Sequence, residues 1–157
     1  MAQYNQTNAQ LTGNDLTLEY TLNKSLVFNG VYSLVRGNDL SNDQYLIYMP
    51  ADNIQVNSMF NFKPSKTVEI SFIKVLARYV FKQTRYNTEQ EILEPPSDYF
   101  LLGLEAGIDI HRNKGHWVFG LRIENALNQT YRDYLNRMRY FAEEPGINFN
   151  LQLQYNF

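Results

Sequence analysis

Residues 147–157 alternate between apolar and polar side chains without exception. The apolar positions are Ile147, Phe149, Leu151, Leu153, Tyr155 and Phe157. The intervening positions are all uncharged amides: Asn148, Asn150, Gln152, Gln154 and Asn156. This period of two predicts a β-strand, because successive side chains of a strand point to opposite faces. A tilted strand needs about 9 to 11 residues to cross a bilayer, so this segment is long enough to do so.

Six further segments show the same alternation with less regularity. The seven predicted strands are residues 14–22, 26–35, 53–62, 68–83, 98–111, 116–127 and 147–157. In 68–83 the apolar phase slips after Val68, Ile70 and Phe72. The slip predicts a β-bulge near Phe72 or Ile73; alternatively, the far half of this strand stands above a membrane, where the alternation relaxes.

The connections between these strands alternate in length. Those near Asn23, near Pro64 and at 112–115 are short, whereas 36–52, 84–97 and 128–146 are long, polar and rich in aromatic residues. Outer-membrane barrels have short periplasmic turns and long outer loops. We therefore expect an all-β fold: an antiparallel transmembrane β-barrel segment in the cell outer membrane, with about seven long strands and its apolar faces toward lipid.

Seven antiparallel strands cannot close a barrel without one parallel pair, and bacterial single-chain barrels have even strand counts from about 8 upward. An eighth strand within 36–52 or 131–142 is the alternative, but 131–141 carries charges on both faces. The polar residues 1–12 contain no secretion signal, and no run is long enough for a transmembrane helix. The chain is therefore expected to be a piece that lacks strands on its N-terminal side.

Composition excludes several classes of function. A formal net charge of -2 and the absence of a basic tract argue against a nucleic-acid partner. The absence of cysteine excludes disulfides and thiolate chemistry. No nucleophile elbow, phosphate-binding loop or metal-ligand spacing is present. We therefore predict that the chain is not an enzyme, and we predict no catalytic residue, cofactor or metal.

Two groups of polar residues have simple structural interpretations. His111 and His116 flank a predicted hairpin, but no carboxylate or thiol is placed to complete a metal site, so they are expected to be solvated turn or interfacial residues. The acidic stretch 89–94 and the pair 143–144 are expected to face solvent. Cross-strand ion pairs on a wet inner wall are expected for a further set: Glu105, Asp109, Arg122 and Glu124.

The C-terminal third carries a resemblance to a known family. Segments 125–128, 131–137, 139–142 and 144–146, followed by a strand that ends in Phe157, resemble the C-terminus of the TonB-dependent outer-membrane receptors. Segments 4–13 with Asp15, 46–52 around Met49-Pro50, and 95–102 resemble earlier parts of the same barrel. One departure is Gln152, where the family often has glycine.

The resemblance implies that residues 1–157 are the C-terminal portion of a receptor barrel of about twenty-two strands, with the plug domain and the N-terminal barrel strands absent. Such receptors import a bulky nutrient, for example a ferric siderophore, haem or cobalamin. The implied partners are outer-membrane lipid, the barrel-assembly machinery, the nutrient, and the TonB complex through the missing plug. Tyr155 and Phe157 resemble the assembly signal. Ligand-contact candidates in the outer loops are Tyr45, Tyr48, Tyr86, Tyr131, Tyr134 and Tyr140, although loop aromatics also pack on one another.

A complete small β-barrel is the alternative. It would be either an outer-membrane protein or a soluble lipid carrier, and a soluble carrier points its apolar face inward around the ligand. Alternation alone does not distinguish inside from outside, so the two orientations stay open at the level of sequence.

Overall fold

The structure is a computed structural model that describes residues 6–112 and 115–157. Its strands are β1 (Ala9–Thr21), β2 (Leu26–Asp39), β3 (Gln44–Tyr45), β4 (Asn53–Asn61), β5 (Val68–Val80), β6 (Tyr99–Arg112), β7 (Gly115–Glu124) and β8 (Asn148–Asn156). A short 3₁₀ helix, Arg137–Tyr140, lies between β7 and β8. The centre of the predicted turn at 112–115 and the start of the polar segment 1–12 lie outside the described residues.

All strand pairs are antiparallel, and the sheet order is β1-β2-β4-β5-β6-β7-β8, with β3 paired to β2. Each of the seven predicted strands is present, and the all-β antiparallel prediction is confirmed. Among the described residues, β1 pairs only with β2 and β8 only with β7. The sheet is therefore open and does not close into a barrel.

Two expectations about the loops are settled by these elements. The disfavoured eighth strand within 36–52 exists as β3, a pair of residues bonded to the far end of β2. The other candidate segment, 131–142, contains the 3₁₀ helix and no strand. Because β3 pairs only with the last two residues of β2, Asn38 and Asp39, it does not join the two edges of the sheet.

The predicted position of the β-bulge is wrong. The register shifts between Val68 and Ile70, so the extra residue is Glu69. Val68 lies opposite Ile110, whereas Ile70 lies opposite Asp109. Because directly paired residues share a face, Ile70 and the following Phe72 lie on the face opposite to the one predicted. The far half of the strand keeps its regular alternation.

The register places most of the large apolar side chains of the long strands on one face, with Ile70 and Phe72 among the exceptions. One row crosses five strands through Phe60, Ile73, Ala106, Leu121 and Leu151. This apolar face is open: Ile73 is 46% exposed and Leu151 is 83% exposed. No second layer covers it among the described residues, so the strands expose rather than bury their apolar residues.

The opposite, polar face carries a chain of ion pairs. Lys74 lies 3.6 Å from Glu105, Arg122 lies 3.5 Å from Glu105, and Arg122 lies 3.0 Å from Glu124. The predicted cross-strand ion pair between Glu105 and Arg122 is therefore confirmed, whereas Glu124 pairs with Arg122 along the same strand. Asp109 does not take part in these ion pairs and instead approaches His111.

A small hydrophobic core lies at one end of the sheet. It consists of Ala51, Val80 and Tyr99, with Leu101 and Tyr131 packed against it. Most of the packing that does not come from strand pairing is therefore concentrated where the long loops meet.

No helix within the described ranges has the length and apolarity required to span a membrane.

Candidate functional site at the loop end of the sheet

The antiparallel order brings the three long connections to one end of the sheet. Connections 40–52, 81–98 and 125–147 lie there, and we call this the loop end. The short connections 22–25 and 62–67 and the one between β6 and β7 lie at the opposite, turn end. Since loops held by a rigid sheet commonly carry binding residues, the loop end is the candidate functional site.

A buried ion pair joins the second and third loops. The carboxylate of Glu91 is paired with the guanidinium of Arg139, and their side chains are only 4% and 2% exposed. The hydroxyl of Tyr134 donates to Glu91 Oε1 at 2.6 Å, and that of Tyr140 donates to Oε2 at 2.7 Å. The guanidinium also lies over both tyrosine rings, 4.4 and 4.6 Å from their centroids. The expectation that stretch 89–94 faces solvent is wrong for Glu91.

The electrostatics keep this cluster ionised. Burial raises the pKa of Glu91, but the hydrogen bonds from Tyr134 and Tyr140 and the charge of Arg139 outweigh burial, so its pKa lies below the ordinary value. Burial and the hydrogen bond to Glu91 raise the pKa of Tyr134 well above its ordinary value. At neutral pH the carboxylate is therefore charged and the phenol remains a donor.

A second polar cluster joins the first and second loops. Arg36 donates to both oxygens of Asp52, at 2.5 and 2.7 Å, and Arg85 approaches Asp52 at 3.4 Å. Gln83 donates to the carbonyl oxygen of Met49 at 2.8 Å. The hydrogen bonds from Arg36 hold the pKa of Asp52 below its ordinary value. Bidentate pairing of this kind fixes side-chain geometry as well as charge.

Asn125 organises the root of the third loop. Its φ is 48°, in the left-handed region, and this conformation ends β7 at Glu124, before the predicted end at 127. Its side-chain oxygen accepts from Gln129 N at 2.8 Å, and its amide donates to Gln129 O at 2.8 Å and to Pro145 O at 3.3 Å. Asn tolerates this conformation better than most residues, so the residue both turns and closes the loop.

The structure separates the predicted ligand-contact tyrosines into two groups. Tyr134 and Tyr140 bind Glu91, and the Tyr131 ring packs 4.4 Å from the Tyr99 ring. These three pack within the loops. Of the other three, Tyr45 is 44% exposed, Tyr48 lies 5.0 Å from the guanidinium of Arg137, and Tyr86 is half-buried. The contact of these six side chains with a ligand stays a prediction.

A cavity of about 430 Å³ lies on the polar face beneath the third loop. Among its lining residues are Arg78, Arg122, Glu124, Tyr131 and Asn148. Guanidinium, carboxylate, phenol and amide groups in one concave surface suit a polar ligand. Of these, sequence analysis singled out only Tyr131 as a ligand contact. The others lie on polar faces of predicted strands, and alternation does not show which polar residues share a cavity.

The residues of the predicted assembly signal lie at the turn end. Phe157 is fully exposed, and Tyr155 is 41% exposed. The Tyr155 ring lies 4.5 Å from the Trp117 ring and 6.1 Å from the Phe157 ring. These aromatic rings form a patch next to the short turns. Recognition of the patch by assembly machinery stays a prediction.

Possible metal ligands also gather at the turn end. Donor atoms of Glu69, Asp109 and His111 lie within 4.8 Å of one another. The expectation that no carboxylate is placed beside the histidines is therefore wrong. The carboxylate of Glu69 comes from the bulge on the neighbouring strand, whose position the sequence analysis misplaced.

The geometry defines the class of this protein by its fold: an open, all-antiparallel β-sheet with one exposed apolar face. Comparison with known protein families, curated proteins and solved structures finds no match for this chain.

Proposed function

We propose that this chain is a wall section of an outer-membrane active-transport receptor of the TonB-dependent kind, which takes up a bulky nutrient such as a ferric siderophore, haem or cobalamin. The observation that carries the proposal is the apolar face, which continues across seven strands of 9 to 14 residues. Soluble monomers rarely expose a contiguous apolar patch larger than a few hundred Å². A bilayer is the environment in which such a face is stable.

The open edges of the sheet support the same proposal. In a bilayer, unpaired backbone groups at a sheet edge have no water to bind, so strands there must be paired on both sides. Further strands of the receptor would pair with β1 and β8 and complete the wall. A complete small barrel would instead require β1 to pair with β8, and no such pairing is present among the described strands.

In this proposal the two faces and two ends have separate roles. The apolar face contacts lipid, and the polar face with its ion pairs lines the lumen. The loop end faces the outside and contributes to nutrient capture, and the turn end faces the periplasm. A plug domain in the lumen would transmit the pull of TonB, and the aromatic patch at the turn end would be read by the barrel-assembly machinery.

Two single-cysteine variants test the orientation of the faces. The chain has no cysteine, so Leu151→Cys and Gln152→Cys can each carry one fluorophore, on opposite faces of the same strand. After reconstitution into phosphatidylcholine vesicles, we expect a lipid-attached nitroxide to quench the label at 151 much more strongly than the label at 152. A water-soluble quencher is expected to give the opposite order.

The neighbouring positions control for one another, because they share the same strand, depth and partner strand. Stronger lipid quenching at 152 than at 151 would contradict the proposal. Labels at both positions that respond only to the aqueous quencher would also contradict it, and would favour a soluble protein.

A further inference from the structure

The bulge in β5 brings a carboxylate to a histidine on the neighbouring strand. Oε2 of Glu69 lies 3.3 Å from Nε2 of His111. Two ligands bound tetrahedrally to one Zn²⁺, each about 2.0 to 2.2 Å from the metal, are separated by roughly 3.4 Å. The observed spacing therefore matches that of two ligands of one metal ion, and the side chains of His111 and Glu69 are accessible, at 46% and 63% exposed.

Asp109 approaches the other nitrogen of the same ring. Its Oδ1 lies 3.6 Å from Nδ1 of His111, and this oxygen is buried with no hydrogen-bond partner among the described residues. A buried acceptor without a partner is costly. In many metal sites a carboxylate accepts the second ring N–H of a ligating histidine and fixes its orientation. If Asp109 and His111 moved slightly closer together, Oδ1 of Asp109 would accept a hydrogen bond from Nδ1–H of His111. That hydrogen bond would fix the orientation of the imidazole ring.

The second histidine restricts the movement of the first. The rings of His111 and His116 stack, with centroids 4.7 Å apart and an angle of 14° between planes. Nε2 of His116 is occupied by the side-chain amide of Asn156 at 2.7 Å. The His116 ring is therefore held in place and packs against the face of the His111 ring. Nε2 of His111, at the edge of its ring, faces Glu69.

We propose that Glu69 and His111 bind a divalent transition-metal ion of the Zn²⁺ class at the turn end, and that Asp109 positions His111. Imidazole and carboxylate are ordinary ligands of such ions, and water completes the coordination. The site rests on contacts among β5, β6 and β7 and does not depend on the transport proposal.

Imidazole NMR tests the site on the full chain, folded in detergent micelles and titrated with Zn²⁺ alone. The chain has two histidines, so His116→Gln identifies the signals of His111. We expect saturable changes at His111 and much smaller ones at His116. Glu69→Gln should weaken binding at least tenfold, and Asp109→Asn by about 10- to 100-fold. The matched control, Glu19→Gln on the exposed strand β1, should leave the affinity unchanged.

Far-UV circular dichroism and the dispersion of the amide signals show whether each variant keeps the fold. Equal changes at both histidines, with a midpoint unaffected by Glu69→Gln in a folded variant, would identify adventitious binding and overturn the proposal. The absence of any change at His111 in the folded chain would also overturn it.

Discussion

The two ends of the sheet are built by different physical means. At the loop end, long connections are held together by buried or half-buried polar groups, in which Glu91 pairs with Arg139 and Asp52 pairs with Arg36. At the turn end, the connections are short, and side chains such as His111 and Phe157 are largely exposed. The loop end is therefore stabilised by a few long-range contacts whose removal should be costly, whereas the turn end should tolerate substitution.

The largest effect is expected from Arg139→Met. Removing one partner of a buried ion pair leaves the other charge without compensation, at a cost of about 3 to 5 kcal/mol. Because Glu91 would then lose its cation, we expect the second and third loops to separate. Limited proteolysis should show faster cleavage within 81–98 and 125–147, with the strands still protected.

The matched control is Arg137→Met in the same 3₁₀ helix, where the arginine is exposed and its guanidinium lies over the ring of Tyr48. Its expected effect is about 0.5 to 1 kcal/mol. The double variant Glu91→Gln with Arg139→Met should recover part of the loss, because no uncompensated charge remains. Equal cleavage rates for the two arginine variants would show that the buried pair does not hold the loops.

Asn125→Ala should have the next largest effect. Alanine at a φ of 48° is strained, and the amide contacts with Gln129 and Pro145 are lost, for a combined cost of about 2 kcal/mol. Asn125→Gly keeps the conformation and removes only the contacts, so it should cost less. Hydrogen exchange of the third loop measures both changes. If the glycine variant is as destabilised as the alanine variant, the backbone conformation contributes nothing.

Acidification should affect the two ends differently. The pKa values of Asp52 and Glu91 are lowered in the folded state, so their stabilisation is present above the ordinary carboxyl range and is lost as pH falls through the lowered values. We expect the loops to become protease-sensitive below about pH 4. The single tryptophan, Trp117, reports on the turn end, and its fluorescence should change little over the same range. A change in Trp117 that precedes loop cleavage would reverse the order proposed for the two ends.

The smallest effect on stability is expected for Phe157→Ala. The side chain is fully exposed, so the free energy of unfolding should change by no more than about 0.5 kcal/mol. If Phe157 is read as an assembly signal, the same variant should insert more slowly into membranes that contain the assembly machinery. Asn150→Ala, at an exposed position of β8, is a control for general effects of substitution. Unchanged insertion of the Phe157 variant would remove the predicted role.

The strands could be predicted from the sequence because a period of two is a local signal. Residues 147–157 are the clearest case, and β8 lies within them. The bulge was misplaced because Val68, Ile70 and Phe72 are all apolar at the right spacing, and only pairing with β6 shows that Glu69 is the extra residue. Strand ends were missed where a backbone conformation decides them, as at Asn125.

The interior of the loop end could not be predicted, because its contacts join distant parts of the chain. Glu91 and Arg139 are 48 residues apart, and each lies in a segment that is polar and charged. Nothing in the local pattern distinguishes a buried glutamate from the exposed Glu89 and Glu94 beside it. The tyrosines near Arg139 were identified as candidates by type and position, but their binding to Glu91 requires the fold.

We propose that this open sheet is a wall section, which needs further strands to close into a barrel. The most direct test is to refold the chain alone in detergent and to compare its heat-modifiable gel migration with its size in solution. We expect the chain alone to form its sheet in detergent without the heat-modifiable migration of a closed barrel, which should appear only when the remaining barrel strands and the plug are supplied. A compact monomer whose migration changes on heating would show that the chain closes by itself, and would contradict the claim in favour of a complete small barrel.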